Sequence, residues 1–295
     1  MADRGRARFC AYLGRTRHSW WCGLSDPPLD GRKMSDRPLA LWLKILGTLL
    51  LVFLLLPVIV VVLASFTSTA YLTIPPRGFT LRWFAEVFSD PDYVSAIWLS
   101  IKLAIASTLI ATVLALPACY ALHQRWVPCA VLIGNLMMSP LIFPAIVIGV
   151  AMLQYVSILD LRGNFGILVL AHSVIVTPYI VRTALAGFSG LDPFLEEAAL
   201  VLGANRFLAF VHVVAPAIRS SLSAGLVFAL ITSFDEVPVT IFLLPPGTAT
   251  LPVSIFTAID QGSDPSVAAV STLLIVITAL LLIVLERFAG TRRLM

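Results

Sequence analysis

The sequence predicts an all-α polytopic membrane protein with six transmembrane helices, and three observations carry that prediction. Of its 295 residues 59% are hydrophobic and only 12% are charged, about half the charged share of an ordinary soluble domain. Six apolar segments, at about 41–65, 95–122, 129–157, 166–187, 218–242 and 266–286, each approach the roughly 20 residues needed to cross about 30 Å of hydrocarbon. The third observation is where the charges fall. With the N-terminus inside, sixteen of the 20 Lys and Arg residues lie on the inner side, three (Arg77, Arg82 and Arg162) lie outside, and Lys102 lies within a span. That asymmetry obeys the positive-inside rule, and it makes the formal charge of +4 a product of topology rather than a nucleic-acid signal.

Taken in order, residues 1–40 are basic and lack apolar periodicity. They are expected to form a cytoplasmic extension that is disordered or lies on the membrane surface, and they have no cleavable-signal pattern. A second start is expected at Met34, where MSDRPLALWLKIL opens, which would make residues 1–33 an upstream artefact. The first span and an outer loop fill 41–94. In that loop Pro75, Pro76 and Gly78 precede Thr80, Trp83 and Phe84, a stretch suited to the headgroup level. Lys102 can extend its alkyl stem to the outer interface. The third span carries Pro140, Pro144 and Gly149, which interrupt the helical ladder in mid-membrane. Such a break is tolerated only where protein or a water-filled cavity takes up the freed backbone groups. The last span leads to a short inner tail, 289–295. Cys10, Cys22, Cys119 and Cys129 have no metal-ligand spacing, and His18, His123, His172 and His212 are expected to make lone polar contacts or to sit at interfaces.

One connector is not membrane-like. In Leu191–Pro216, LDPFLEEAALVLGANRFLAFVHVVAP, Asp192 can cap a helix that starts at Pro193, and Gly203 can stop it. Asn205 can cap a second helix, Arg206 to Val214, with Phe207, Phe210, Val211 and Val214 on one face and Pro216 as its end. Glu196 and Glu197 stand near the start of the first helix, while Ala198 and Ala199 keep its surface low enough for close approach. The pattern Glu197-Ala198-Ala199, three residues, Gly203, nine residues, Val213-Val214-Ala215-Pro216 resembles the EAA loop of ABC-importer permeases, E-A-A-x3-G-x9-I-x-L-P, with Val213 and Ala215 as apolar departures.

The resemblance implies a MetI-like type I fold, with a permease core at 95–288 and a coupling loop at 191–216 that docks on a cytoplasmic ABC ATPase dimer. It also implies a second homologous permease, a periplasmic solute-binding protein and a lipid setting in a bacterial inner membrane, with both termini cytoplasmic. ATP and magnesium would belong to the ATPase; this chain has no GxxxxGK[ST] loop to cradle a nucleotide. No enzyme activity, metal or nucleic-acid role is expected of it.

Two further stretches narrow the resemblance. Ser139-Pro140-Leu141-Ile142-Phe143-Pro144 to Val150 is similar to a segment of polyamine-importer permeases. Ser233-Phe234-Asp235-Glu236-Val237, followed by Leu251-Pro252-Val253 and Ile255, resembles the spermidine and putrescine branch, although Phe256 replaces a tyrosine. A carboxylate in hydrocarbon normally faces a bundle interior or an aqueous cavity. Asp235 and Glu236 are therefore candidates for the path of a small cation, together with Pro140 and Pro144. The alternative is that they cap the Pro238 turn or pair with Lys102 or another subunit. Within the same architecture iron(III), phosphonate or opine-like solutes remain open. An ion-coupled carrier would show inverted repeats, and none is evident. A serine hydrolase built on Ser189 with His172 or His212 lacks the GxSxG spacing.

Overall fold

The computed structural model describes residues 38–69, 76–262 and 265–289, and the chain divides into two compact units, residues 1–56 and 57–295. The first 37 residues, with Cys10, Cys22 and the expected second start at Met34, lie outside the described residues, as does the tail from 290 onward. In the first unit the described chain is the opening part of helix α1 (Pro38–Ala64), apolar and exposed along its length from Leu41 to Leu56. A helix that is hydrophobic all round is solvated by lipid or by other protein.

The second unit contains, in order, α2 (Arg82–Ser89), α3 (Pro91–His123), α4 (Ala130–Met138), α5 (Ala145–Ile158), α6 (Phe165–Ser189), α7 (Pro193–Val201) and α8 (Arg206–Ala217). It ends with α9 (Arg219–Phe234), α10 (Pro238–Leu243), α11 (Leu251–Gln261) and α12 (Pro265–Ala289). Among the described residues there is no strand. Four helices are long and apolar enough to cross a membrane alone, and the number rises to six if each of two bent pairs counts as one span.

The long helices start where the sequence gives them caps. Asp90 accepts a hydrogen bond from the Asp92 N–H at 2.8 Å with Pro91 at the first helical position, and Asn164 accepts from Gly166 N–H at 2.8 Å. Around them α3, α6 and α9 form the centre of the bundle. Ala104, Ala111 and Ala115 of α3 are buried, as are Val176, Ile180 and Ala184 of α6 and Ala229 of α9. Small residues allow this approach, which in lipid is held by van der Waals contact rather than by the hydrophobic effect. At Gly225 a Cβ would fall 2.0 Å from Thr183 Oγ1.

Trp83 is buried beside Val87, Phe234 and Leu251, with its Nε1–H donating to the Thr67 carbonyl at 2.7 Å, so its ring and its N–H are both satisfied inside the protein. Three expectations are corrected here. The fifth span does not run unbroken from 218 to 242. It stops at Phe234, because Pro238 has no N–H to offer the Phe234 carbonyl, and α10 restarts at Pro238. His172 is neither interfacial nor a lone contact; it is buried among three helices, with both ring nitrogens engaged. Pro216 does not end the connector's second helix, which runs on to Ala217. A wide turn at Phe210–Val214, closed by the Ala215 N–H on the Phe210 carbonyl, shifts the ladder so that the proline fits within it.

Candidate functional site

The connector is built as its local chemistry dictates. Asp192 Oδ1 accepts from the Phe194 N–H at 3.0 Å with Pro193 opening α7, and Asn205 Oδ1 accepts from Leu208 N–H at 2.8 Å to open α8. Between the two helices Gly203 has φ +93°, and an added Cβ there would meet nothing within 4 Å. Within this chain it is the backbone conformation that calls for glycine, since a side chain at that φ is strained whatever the space.

The two adjacent glutamates part company. Glu196 turns toward the end of α3, where Oε1 accepts from the Tyr120 hydroxyl and Oε2 accepts from Gln124 Nε2 at 2.5 Å. Tyr120 in turn packs edge-on against Trp126 at 5.3 Å and against Phe210 at 4.8 Å, and the Arg206 guanidinium lies over the Trp126 ring at 4.9 Å. Phe188 at the end of α6 also packs on Tyr120, with ring centroids 6.0 Å apart, so a charge-assisted pair of hydrogen bonds inside an aromatic seat fixes α7 and α8 to α3 and α6. Glu197 and Ala198 are exposed, and Ala199 is half-buried. Of the apolar face expected on α8, Val214 is buried and Phe210 packs on the core, while Phe207 and Val211 are exposed, because the wide turn rotates the face partway round. At the tip Val201 and Leu202 are 87% and 88% exposed, beside exposed Phe194 and Leu200. The seat residues Tyr120, Gln124, Trp126 and Phe188 gave no sequence signal as partners of Glu196. Tyr120 is 76 positions away from it, and only the spacing of Tyr120 and Gln124 on one helical face hints at a shared contact.

The second locus is the break between α9 and α10. Asp235 follows the last residue of α9 and is exposed; Glu236 is half-buried, with Oε1 accepting from the Val239 N–H at 3.1 Å. Glu236 therefore caps the Pro238 turn, one of the two alternatives open from the sequence. Lys102 is exposed, and the ion pair found among the described residues is Arg82 with Glu86 at 3.9 Å, so no pairing of Lys102 with Asp235 or Glu236 occurs there.

The proline-broken segment reaches the same place. Pro140 lies in the tight turn Ser139–Leu141, exposed Pro144 precedes α5, and the two halves bend by 97°. Gly149 on α5 meets α10 so closely that a Cβ would stand 3.0 Å from the Pro238 carbonyl oxygen and 3.1 Å from Val239 Cα. The structure thus brings the broken helix against the carboxylate turn, while the connector forms a separate site. The Ser189 hydroxyl donates to the Ala186 carbonyl at 2.8 Å and His212 Nδ1 engages Leu208 at 3.1 Å, so neither histidine is bonded to that serine.

A bundle of apolar spans, with a capped helical connector seated on its end, defines a polytopic helical membrane protein. The chain belongs to the family of binding-protein-dependent transport system inner membrane components, which it matches over residues 124–291, and is a permease subunit of an ABC importer. It is a multi-pass inner-membrane protein, and ATP hydrolysis belongs to a separate subunit.

Among curated relatives, the chain is 26% identical over 242 residues to the spermidine/putrescine transport system permease protein PotC of Escherichia coli, covering 82% of this chain and 91% of the relative. It is 29% identical over 245 residues to PhnV of Salmonella typhimurium, named as a 2-aminoethylphosphonate transport system permease protein, covering 82% and 92%. In fold it is similar to a bacterial ABC transporter chain involved in import of the acidic polysaccharide alginate, with TM-score 0.70, 17% identity, and 86% and 98% of the two chains covered. It is also similar to a chain of the MetNI methionine ABC transporter, with TM-score 0.55, 19% identity, and 67% and 94% covered.

Proposed function

We propose that this permease carries a small organic cation, a polyamine of the spermidine or putrescine type, past the break between α9 and α10. The observation that carries the reading is Asp235, an exposed carboxylate beside a helix break, facing no cation of this chain among the described residues. A carboxylate at membrane depth needs water or a positive group, and an alkylammonium supplies one. Spermidine and putrescine, named for PotC, carry that group, and so does 2-aminoethylphosphonate, named for PhnV. The phosphonate solute is the second reading. It brings negative charge past the same carboxylate, which Coulomb repulsion disfavours.

On the opposite locus, the exposed apolar tip of α7 with Glu197, Ala198 and Gly203 docks on a cytoplasmic ATPase dimer that binds ATP and magnesium. A second permease completes the path, and a periplasmic binding protein delivers solute. Residues 95–288 act as the permease core. ATP binding biases two packings of the bundle through contacts that differ between the two states.

The test is uptake of labelled putrescine, spermidine and 2-aminoethylphosphonate by cells in which the gene is deleted and then restored. Loss and recovery of polyamine uptake alone supports the reading. Loss confined to 2-aminoethylphosphonate moves the substrate to the second reading, and unchanged uptake of all three overturns both.

A further inference from the structure

Among the described residues a buried polar cluster that neither the connector nor the carboxylates explain is centred on His172. This side chain, 1% exposed on α6, places Nδ1 2.9 Å from Ser233 Oγ of α9 and Nε2 2.9 Å from Thr240 Oγ1 of α10. Ser233 Oγ lies 2.8 Å from Ser107 Oγ of α3, and Thr240 Oγ1 donates to the Glu236 carbonyl at 2.6 Å. All three hydroxyl residues are buried. Proton counting fixes one direction: Thr240 spends its only hydrogen on Glu236, so His172 Nε2 carries a hydrogen and donates to Thr240. On the other side Ser233 donates to Nδ1, and the single Ser107 hydrogen is shared between the Leu103 carbonyl at 2.7 Å and Ser233 Oγ.

The position of the two contacts is what matters. Ser233 lies two residues before Asp235, and Thr240 lies four residues after Glu236, so one imidazole grips both shoulders of the α9–α10 break from a third helix. Pro238 has no N–H to carry the helical ladder across the break, and the bonds of Glu236 to Val239 and Thr240 hold the turn from within without tying α10 back to α9. A Leu or Phe would fill the space without joining the shoulders, and a half-satisfied polar cluster is worse than an apolar core. We propose that His172 is a positioning residue that staples the two sides of this break to α6 and so fixes where Asp235 stands. The inference deepens the reading of Asp235 as part of the solute path and rests on it for its consequence in transport, though not for the staple itself.

The experiment uses the complete transporter in proteoliposomes, with Cys10, Cys22 and Cys129 of this chain changed to serine and a nitroxide attached through Ile241→Cys on α10. The parent is expected to show an immobilised label. His172→Leu and the near-isosteric Thr240→Val both release it, while His172→Gln, whose amide N–H reaches the Nε2 position, restrains it again. In the same vesicles putrescine uptake falls about tenfold or more in His172→Leu and recovers in His172→Gln, because misplacement of a working group by a fraction of an ångström is felt at that scale. Thr240→Val carries the test where His172→Leu does not assemble. An unmoved label in the variants overturns the staple. A released label with undiminished putrescine uptake upholds the staple and overturns Asp235 as a path residue, and parent-level uptake by Asp235→Asn with an immobile label overturns the path reading alone.

Discussion

Glu196 and Glu197 are neighbours on a helix, Asp235 and Glu236 are neighbours at a helix break, and in each pair the fold takes one carboxylate and leaves the other exposed. On α7 the separation is helical geometry: successive side chains point about 100° apart, so Glu196 can reach Tyr120 and Gln124 only if Glu197 faces away. At the α9–α10 break it is backbone demand: α10 opens with unpartnered N–H groups, Glu236 is placed to cap one of them, and Asp235 is one residue too early. The two regions teach that an acidic pair near a membrane is not a unit. The held member sets position, and the exposed member is available to a partner or a solute.

The largest expected effect comes from Gly203→Asp. A side chain at φ +93° forces the turn between α7 and α8 to move, so the exposed tip is misplaced while the seat at Glu196 survives. Uptake is expected to fall about 100-fold, with normal amounts of chain in the membrane by immunoblot. Parent-level uptake would detach the connector from transport.

Next is Glu196→Ala, which leaves the Tyr120 hydroxyl and the Gln124 amide without their acceptor. Thermal unfolding of the purified transporter should show a loss of about 2 kcal/mol, whereas Glu197→Ala should stay within about 0.5 kcal/mol. Equal losses in the two would dissolve the distinction between held and exposed members.

Asp235→Asn comes third. It removes charge without removing a hydrogen bond seen in the structure, so stability should hold while putrescine uptake falls about tenfold, the equivalent of about 1.4 kcal/mol of interaction with a cation. Glu236→Gln is expected to do least. Its amide oxygen still accepts from Val239 N–H, and uptake should remain within about twofold, a change of under 0.5 kcal/mol. A reversal of these last two would make Glu236 the solute-facing member.

What could be read in the sequence follows a single rule, the distance along the chain over which the deciding interaction acts. The caps at Asp192 and Asn205 are bonds to N–H groups two and three residues away, so the residues themselves announce them. The break at Pro140 and Pro144 was legible for the same reason, since proline removes its own donor. The end of α9 was misjudged because the apolar run continues through Asp235 to Leu243, and hydropathy outweighed the proline in placing the boundary. The burial of Trp83 was not legible, because an aromatic at an interface and one in a core look alike until its partner, the Thr67 carbonyl, is in place.

The sequence by itself determined the class of molecule, the approximate spans, the helical connector and its resemblance to permeases, because hydrocarbon thickness and helix ends are satisfied locally. Only the tertiary structure decided which carboxylate of each pair is held, and that His172 joins two shoulders of one break. Those choices rest on partners 76 and 72 positions from Glu196, and 61 and 68 from His172, which the chain brings together only when α3, α6, α9 and α10 pack. A buried polar atom must find such a partner, but its own neighbourhood in sequence does not say which one.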